Sequence, residues 1–93
     1  MRSKRCEYRI AVNTDAAALE HALAAIPDAR STDEASRFDL GEGDAQEWPE
    51  ATAYVDAEGI WFVDHCGGQG RAILAQLIET LTAIFGRVEA GEQ

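Results

Sequence analysis

Between Ala51 and His65 the chain passes through two stretches with strand character, Ala51 to Val55 and Ile60 to His65. They flank Asp56-Ala57-Glu58-Gly59, a short polar connection ending in glycine of the kind that reverses an antiparallel pair. With Val55 set opposite Ile60, every other position follows, because strand side chains alternate with a period of two. Ala53, Val55, Ile60 and Phe62 then share one face, and Thr52, Tyr54, Trp61, Val63 and His65 share the other. A lone hairpin is marginal in water. The rest of the chain must supply more strands and a layer to cover the first of these faces.

Two segments have the period such a layer needs. Leu19, Ala22, Leu23 and Ile26 recur at helical spacing, with Asn13 or Thr14 available as a cap, Asp15 favourable in the first turn and Pro27 as the stop. From Arg71 to Phe85 the apolar positions Ile73, Leu74, Leu77, Ile78, Leu81, Ile84 and Phe85 form a longer stripe, followed by Gly86 as a C-terminal cap. Cys6 to Val12 alternates as a half-buried strand, and Phe38 and Leu40 mark a short strand between Ser36 and Gly41. A last edge strand is expected around Val88, within Arg87 to Ala90. The polar stretch from Asp28 to Ser36 shows no period, Glu42 to Glu50 reads as an acidic loop, and residues 1–4 and 91–93 are expected to fray.

The predicted order is β-α-β-β-β-α with that final edge strand, in a single domain over residues 1–93. Two amphipathic helices and one antiparallel sheet are most simply reconciled when both helices cover the same face. The expected fold is an α+β two-layer sandwich, ferredoxin-like in plan. At 93 residues and 46% hydrophobic content, the chain has material for one core without metals or crosslinks.

Charge narrows the function classes. Seventeen acidic residues against eight basic ones give a net charge of −9. Between Asp28 and Glu58 ten acids face only Arg30 and Arg37. Such a body repels phosphate backbones, so direct nucleic-acid binding is not expected. No apolar run approaches the ~18 residues of a membrane span, and no signal-peptide stretch opens the chain. Cys6 and Cys66 are too few for a disulfide framework. The expected setting is the cytoplasm, and Lys4 as the sole lysine amid many Ala and Arg residues fits a GC-rich bacterial genome.

Three groups of residues are candidates for function. The first is the face carrying Tyr54, Trp61 and Val63, with Trp48 in the neighbouring loop. Tyr and Trp bury much area at little entropic cost, and an apolar patch on an open sheet usually has a partner. The second is His65-Cys66, whose adjacency in a strand points the two side chains apart and works against a nucleophile–base pair. The third is the strand–glycine–helix junction Gly67-Gly68-Gln69-Gly70-Arg71, where backbone N–H groups can cradle an anion. This junction lacks the Lys-Ser/Thr of a phosphate-binding loop. Gly67-Gly68-Gln69 also spells the tripeptide of peptide-chain release factors, without the basic flanks that would enter ribosomal RNA. Asp64 is expected on the helix side, satisfied by Arg71 or a helix N-terminus.

No pair of cysteines or histidines has metal-ligand spacing, and neither a metal nor a cofactor is expected. The leading expectation is a non-enzymatic, acidic protein-interaction module that engages another protein, basic in character, or a second copy of itself. The alternative is a small-ligand, anion-binding or enzymatic domain using His65, Cys66, Gly68, Gln69 and Arg71.

Overall fold

The computed structural model describes residues 6–27, 29–32, 36–41, 49–65 and 70–92. These form β1 (Cys6–Val12), α1 (Ala16–Ala24), β2 (Ala29–Ser31), β3 (Arg37–Leu40), β4 (Ala51–Asp56), β5 (Gly59–Asp64), α2 (Gly70–Phe85) and β6 (Val88–Glu92). The strands make one antiparallel sheet in the order β2-β3-β4-β5-β1-β6. Within it, β4, β5, β1 and β6 with the two helices follow the ferredoxin-like plan, each helix carrying the chain past at least one intervening strand. The pair β2–β3 widens the sheet beyond β4. The chain is a small α+β sandwich.

The hairpin has the expected register, with Val55 opposite Ile60, and pairing continues to Asp56 opposite Gly59. The reversal is therefore tighter than four residues, with only Ala57 and Glu58 outside the ladder. Asp56 Oδ1 accepts the Glu58 N–H at 2.9 Å and stiffens the turn. Gly59 has φ +127°, and a Cβ there would collide with the carbonyl oxygen of Ile10 on β1. Glycine is needed both for the backbone angle and for the close approach of the neighbouring strand.

One core lies between the helices and a single face of the sheet. Ile10, Ile60, Phe62, Ala53, Val55, Phe38 and Leu40 meet Leu19 and Leu23 of α1 and Leu77 and Leu81 of α2, all buried. Each large side chain removed from water in this way contributes about 1.5–3 kcal/mol. Both helices therefore pack on one side, and among the described residues the opposite face of the sheet carries none.

Several local features differ from expectation. Asp15, rather than Asn13 or Thr14, caps α1, its side chain accepting from the Ala18 N–H at 2.8 Å. Residues 13 and 14 belong to the turn leaving β1, where Thr14 N–H donates to the Val12 carbonyl. The stretch after Pro27 contains β2, a three-residue edge strand without apolar alternation. Pairing to β3, and Arg30 Nη1 donating to the Gly41 carbonyl at 3.0 Å, hold it in place. Gly91 and Glu92 extend β6, paired to Arg9 and Tyr8, and do not fray. Ile84 is 55% exposed despite lying in the apolar stripe of α2. The inner face of β6, set by the pairs Val12–Val88, Ile10–Ala90 and Tyr8–Glu92, carries Val88 as its one large apolar residue. The end of α2 is as expected, with Gly86 at φ +89° and its N–H donating to the Thr82 carbonyl at 2.9 Å.

Two glycines with positive φ separate two causes. Gly86→Ala meets no atom within 4 Å and is expected to cost about 1 kcal/mol from backbone angle alone. Gly59→Ala adds a collision with β1 and is expected to cost over ~2 kcal/mol. Urea melts of both variants check this, and equal losses would show that the approach to Ile10 is not a constraint.

Candidate functional site

The helix-free face is organised in rows set by strand register. Arg37 on β3 pairs with Tyr54 on β4, Tyr54 with Trp61 on β5, and Trp61 with Arg9 on β1. These four side chains form a line across the sheet, aromatic at the centre and cationic at both ends. The next row, one pleat repeat along the strands, reads Asp39, Thr52, Val63 and Glu7, with Arg30 on β2 beyond Asp39. Asp56 and Glu89 lie on the far side of the first row.

Each cation in the first row is matched to a ring and to a carboxylate. The Arg9 guanidinium lies 5.8 Å from the Trp61 ring centroid, and Arg37 lies the same distance from Tyr54. Arg9 Nη1 donates to both carboxylate oxygens of Asp56 at 2.8 Å, and Arg37 Nε lies 3.4 Å from Asp39 Oδ1. Hydrogen bonding from Arg9, supported by the backbone N–H groups of Glu58 and Gly59, holds the Asp56 carboxyl below the ordinary aspartate range. In the second row the Thr52 hydroxyl lies 2.9 Å from His65 Nε2 and donates to Asp39 Oδ1 at 3.4 Å.

Heights differ between the rows. Trp61 is 40% exposed, whereas Val63 is 7% and Thr52 1% exposed; Tyr54 is half-buried. Glu7, Tyr54, Trp61 and Val63 line a shallow depression of about 320 Å³. In the second row, then, Thr52 is closed off from solvent beside His65 and only Val63 lines the depression, while Trp61 of the first row stands above it.

Charge is segregated between the two layers. On the helix-free face Arg9, Arg30 and Arg37, with Arg87 ion-paired to Glu89 at the rim, balance Glu7, Asp39, Asp56 and Glu89. Elsewhere among the described residues Arg71 alone stands against Asp15, Glu20, Glu50, Glu58, Asp64, Glu79 and Glu92. Among the described residues, the face bearing the aromatic pair is the one on which the charges balance.

Of the residues singled out in the sequence, Tyr54, Trp61, Val63 and His65 come together on this face. Trp48, Cys66, Gly68 and Gln69 lie outside the described residues. Arg71 is exposed in the first turn of α2, in the other layer from His65, whose ring is engaged by Thr52. Asp64 is buried on the helix side against Gly70, where an added Cβ would collide with its carboxylate; the start of α2 thus already faces a carboxylate. Sequence reasoning missed Glu7, Arg37, Asp39 and Asp56 as members of the surface. The i, i+2 alternation of opposite charges in Glu7–Arg9 and Arg37–Asp39 was the available signal.

No protein-family model, curated protein or solved structure matches this chain. Among the described residues no group of three or more His, Cys, Asp and Glu side chains is placed to hold a metal ion. No helix among them is long and apolar enough to cross a membrane.

Because Arg9 lowers the folded-state pKa of Asp56, the pair contributes stability above the unfolded aspartate value of ~3.9. That contribution is lost as pH falls through the lower folded value. In Arg9→Ala the Asp56 pKa is expected to rise toward the ordinary range and this part of the acid dependence to disappear. A carbon-detected NMR titration of the Asp56 carboxyl measures it directly, and an unmoved midpoint would refute the assignment.

Proposed function

We propose that the chain is a small, non-catalytic protein-interaction module of the cytoplasm that docks through the helix-free face of its sheet. The observation carrying this reading is Trp61, 40% exposed near the middle of a six-stranded sheet, beside Tyr54 and stacked by Arg9. Burying such a group against a partner gains more than burying any other side-chain type, and Trp, Tyr and Arg are the residues that dominate interface energetics. The surrounding charges form the polar rim expected of such a surface.

A small-ligand or anion site at the Cys66–Arg71 junction has less support. The Asp64 carboxylate lies against Gly70 at the first turn of α2, so a second anion at the junction meets a negative group where it would need a donor. His65 is turned to the sheet face.

Trp61→Ala removes the anchor while leaving every buried core side chain in place. It is expected to weaken association, with itself or with a captured protein, by at least ~30-fold, the ~2 kcal/mol of an interface hot spot. Sedimentation and affinity capture read the loss, and circular dichroism confirms the fold. Equal association by both proteins, or none by either, would remove the reading.

A further inference from the structure

We infer that the occupant of this face is a second copy of the same chain, related by a two-fold axis that runs across the strands between the two rows. The inference rests on the docking role assigned to this face and adds the partner and its register. It follows from the pattern of the rows. An axis lying in the plane of the face, parallel to the rows and midway between them, lays the first row of one copy on the second row of the other. Arg37 then meets Asp39 of the second copy, Tyr54 meets Thr52, Trp61 meets Val63, and Arg9 meets Glu7. Arg37 and Arg9 land on carboxylates, the Trp61 ring lands on the depression lined by Val63, and the Tyr54 ring lands over the Thr52–His65 pair. The alternative axis, parallel to the strands between β4 and β5, brings Arg9 onto Arg37 and Glu7 onto Asp39, and is repulsive.

Shape agrees with charge. Stacked sheets lie ~10 Å apart, so long side chains must face short ones. Trp61 rises as a ridge beside a depression of about 320 Å³ that has Val63 among its lining residues, and the operation places the second copy's indole over that depression. Aligned packing of two twisted sheets crosses them at ~30°. That shifts the outer strands by a few ångströms, within the reach of Arg and Glu side chains. With strands of three to seven residues spaced ~4.8 Å apart, the face projects to about 500 Å² per partner, at the small end of specific interfaces.

Electrostatics selects this occupant over a basic protein. Two copies of a chain with net charge −9 repel through most of their surfaces. They can approach where the charge balances, which among the described residues is the helix-free face. A basic partner would be drawn instead to the helical side, where among the described residues Arg71 stands against Asp15, Glu20, Asp64 and Glu79.

The test is charge exchange at one contact, followed by sedimentation equilibrium. Glu7→Arg sets two arginines against each other across the axis, and Arg9→Glu sets two glutamates. Each variant alone is expected to dimerise at least ~10-fold more weakly than wild type. Their equimolar mixture is expected to recover a heterodimer, since position 7 and position 9 of one chain then oppose the opposite sign on the other. Should Arg9→Glu fail to fold without its Asp56 pair, Asp39→Arg and Arg37→Glu repeat the exchange at the other end of the rows. A wild-type dimer indifferent to these reversals overturns the register. A wild type monomeric near ~1 mM that still captures another protein through Trp61 overturns the second copy as occupant and leaves the docking role standing. A monomer that captures nothing overturns both.

Discussion

Gly59 sits where any side chain would strike the carbonyl of Ile10, and that closeness locks the β4–β5 hairpin against β1. Register between these strands decides everything built on them. A slip of one residue would exchange the faces of β1, sending Ile10 to solvent and Arg9 into the core. With the pairs Ile10–Ile60 and Arg9–Trp61 in place, the sheet presents Ile10, Ile60 and Phe62 to the helices and aligns Arg9 with Trp61 and Tyr54. The same backbone contact thus organises the core and composes the opposite surface.

That surface differs from the remainder of the protein in its charge balance. A net charge of −9 on 93 residues keeps like molecules apart and works against the compact state. Placing Arg9, Arg30 and Arg37 on one face relieves the repulsion locally, and each of Arg9 and Arg37 has a carboxylate neighbour. The exposed Arg9–Asp56 pair adds little stability, typically ~0–1 kcal/mol, and the Arg37–Asp39 pair is half-buried. Their effect lies in arrangement: they fix the guanidinium groups over the rings and set alternating signs along two adjacent rows. A surface with that alternation is self-complementary, which a uniformly acidic one cannot be.

Much of the fold is legible in the sequence because its signals are local. The alternation of Cys6–Val12, the turn at Asp56–Gly59 and the stripe from Ile73 to Phe85 each occupy one continuous segment. Both layers and the sidedness of Tyr54 and Trp61 follow from them. What was not legible depends on pairing between distant segments. β2 has no apolar alternation and exists because β3 lies beside it. The placement of Arg37 next to Tyr54, and of Arg9 next to Trp61, requires knowing that β3 flanks β4 and β1 flanks β5. Ile84 reads as core from its spacing, yet β6 gives it too little apolar surface to cover it. The capping of α1 by Asp15 turned on how many residues the exit from β1 consumes.

An exposed tryptophan at the centre of a sheet needs an account of how the isolated chain tolerates it. Arg9 lies over the Trp61 ring and Arg37 over Tyr54, so part of each ring is covered by the chain's own guanidinium groups. Such stacking is worth roughly 0.5–1 kcal/mol at exposed sites. It also breaks the apolar patch into pieces too small to drive indiscriminate association. The salt links from Arg9 to Asp56 and Arg37 to Asp39 hold the shielding groups in position. The Arg9–Asp56 link, at the exposed edge, is weak enough to exchange carboxylates when a matching surface arrives. The face is therefore screened but not closed, and only a surface offering both an apolar trough for the indole and carboxylates for the arginines gains by displacing water from it.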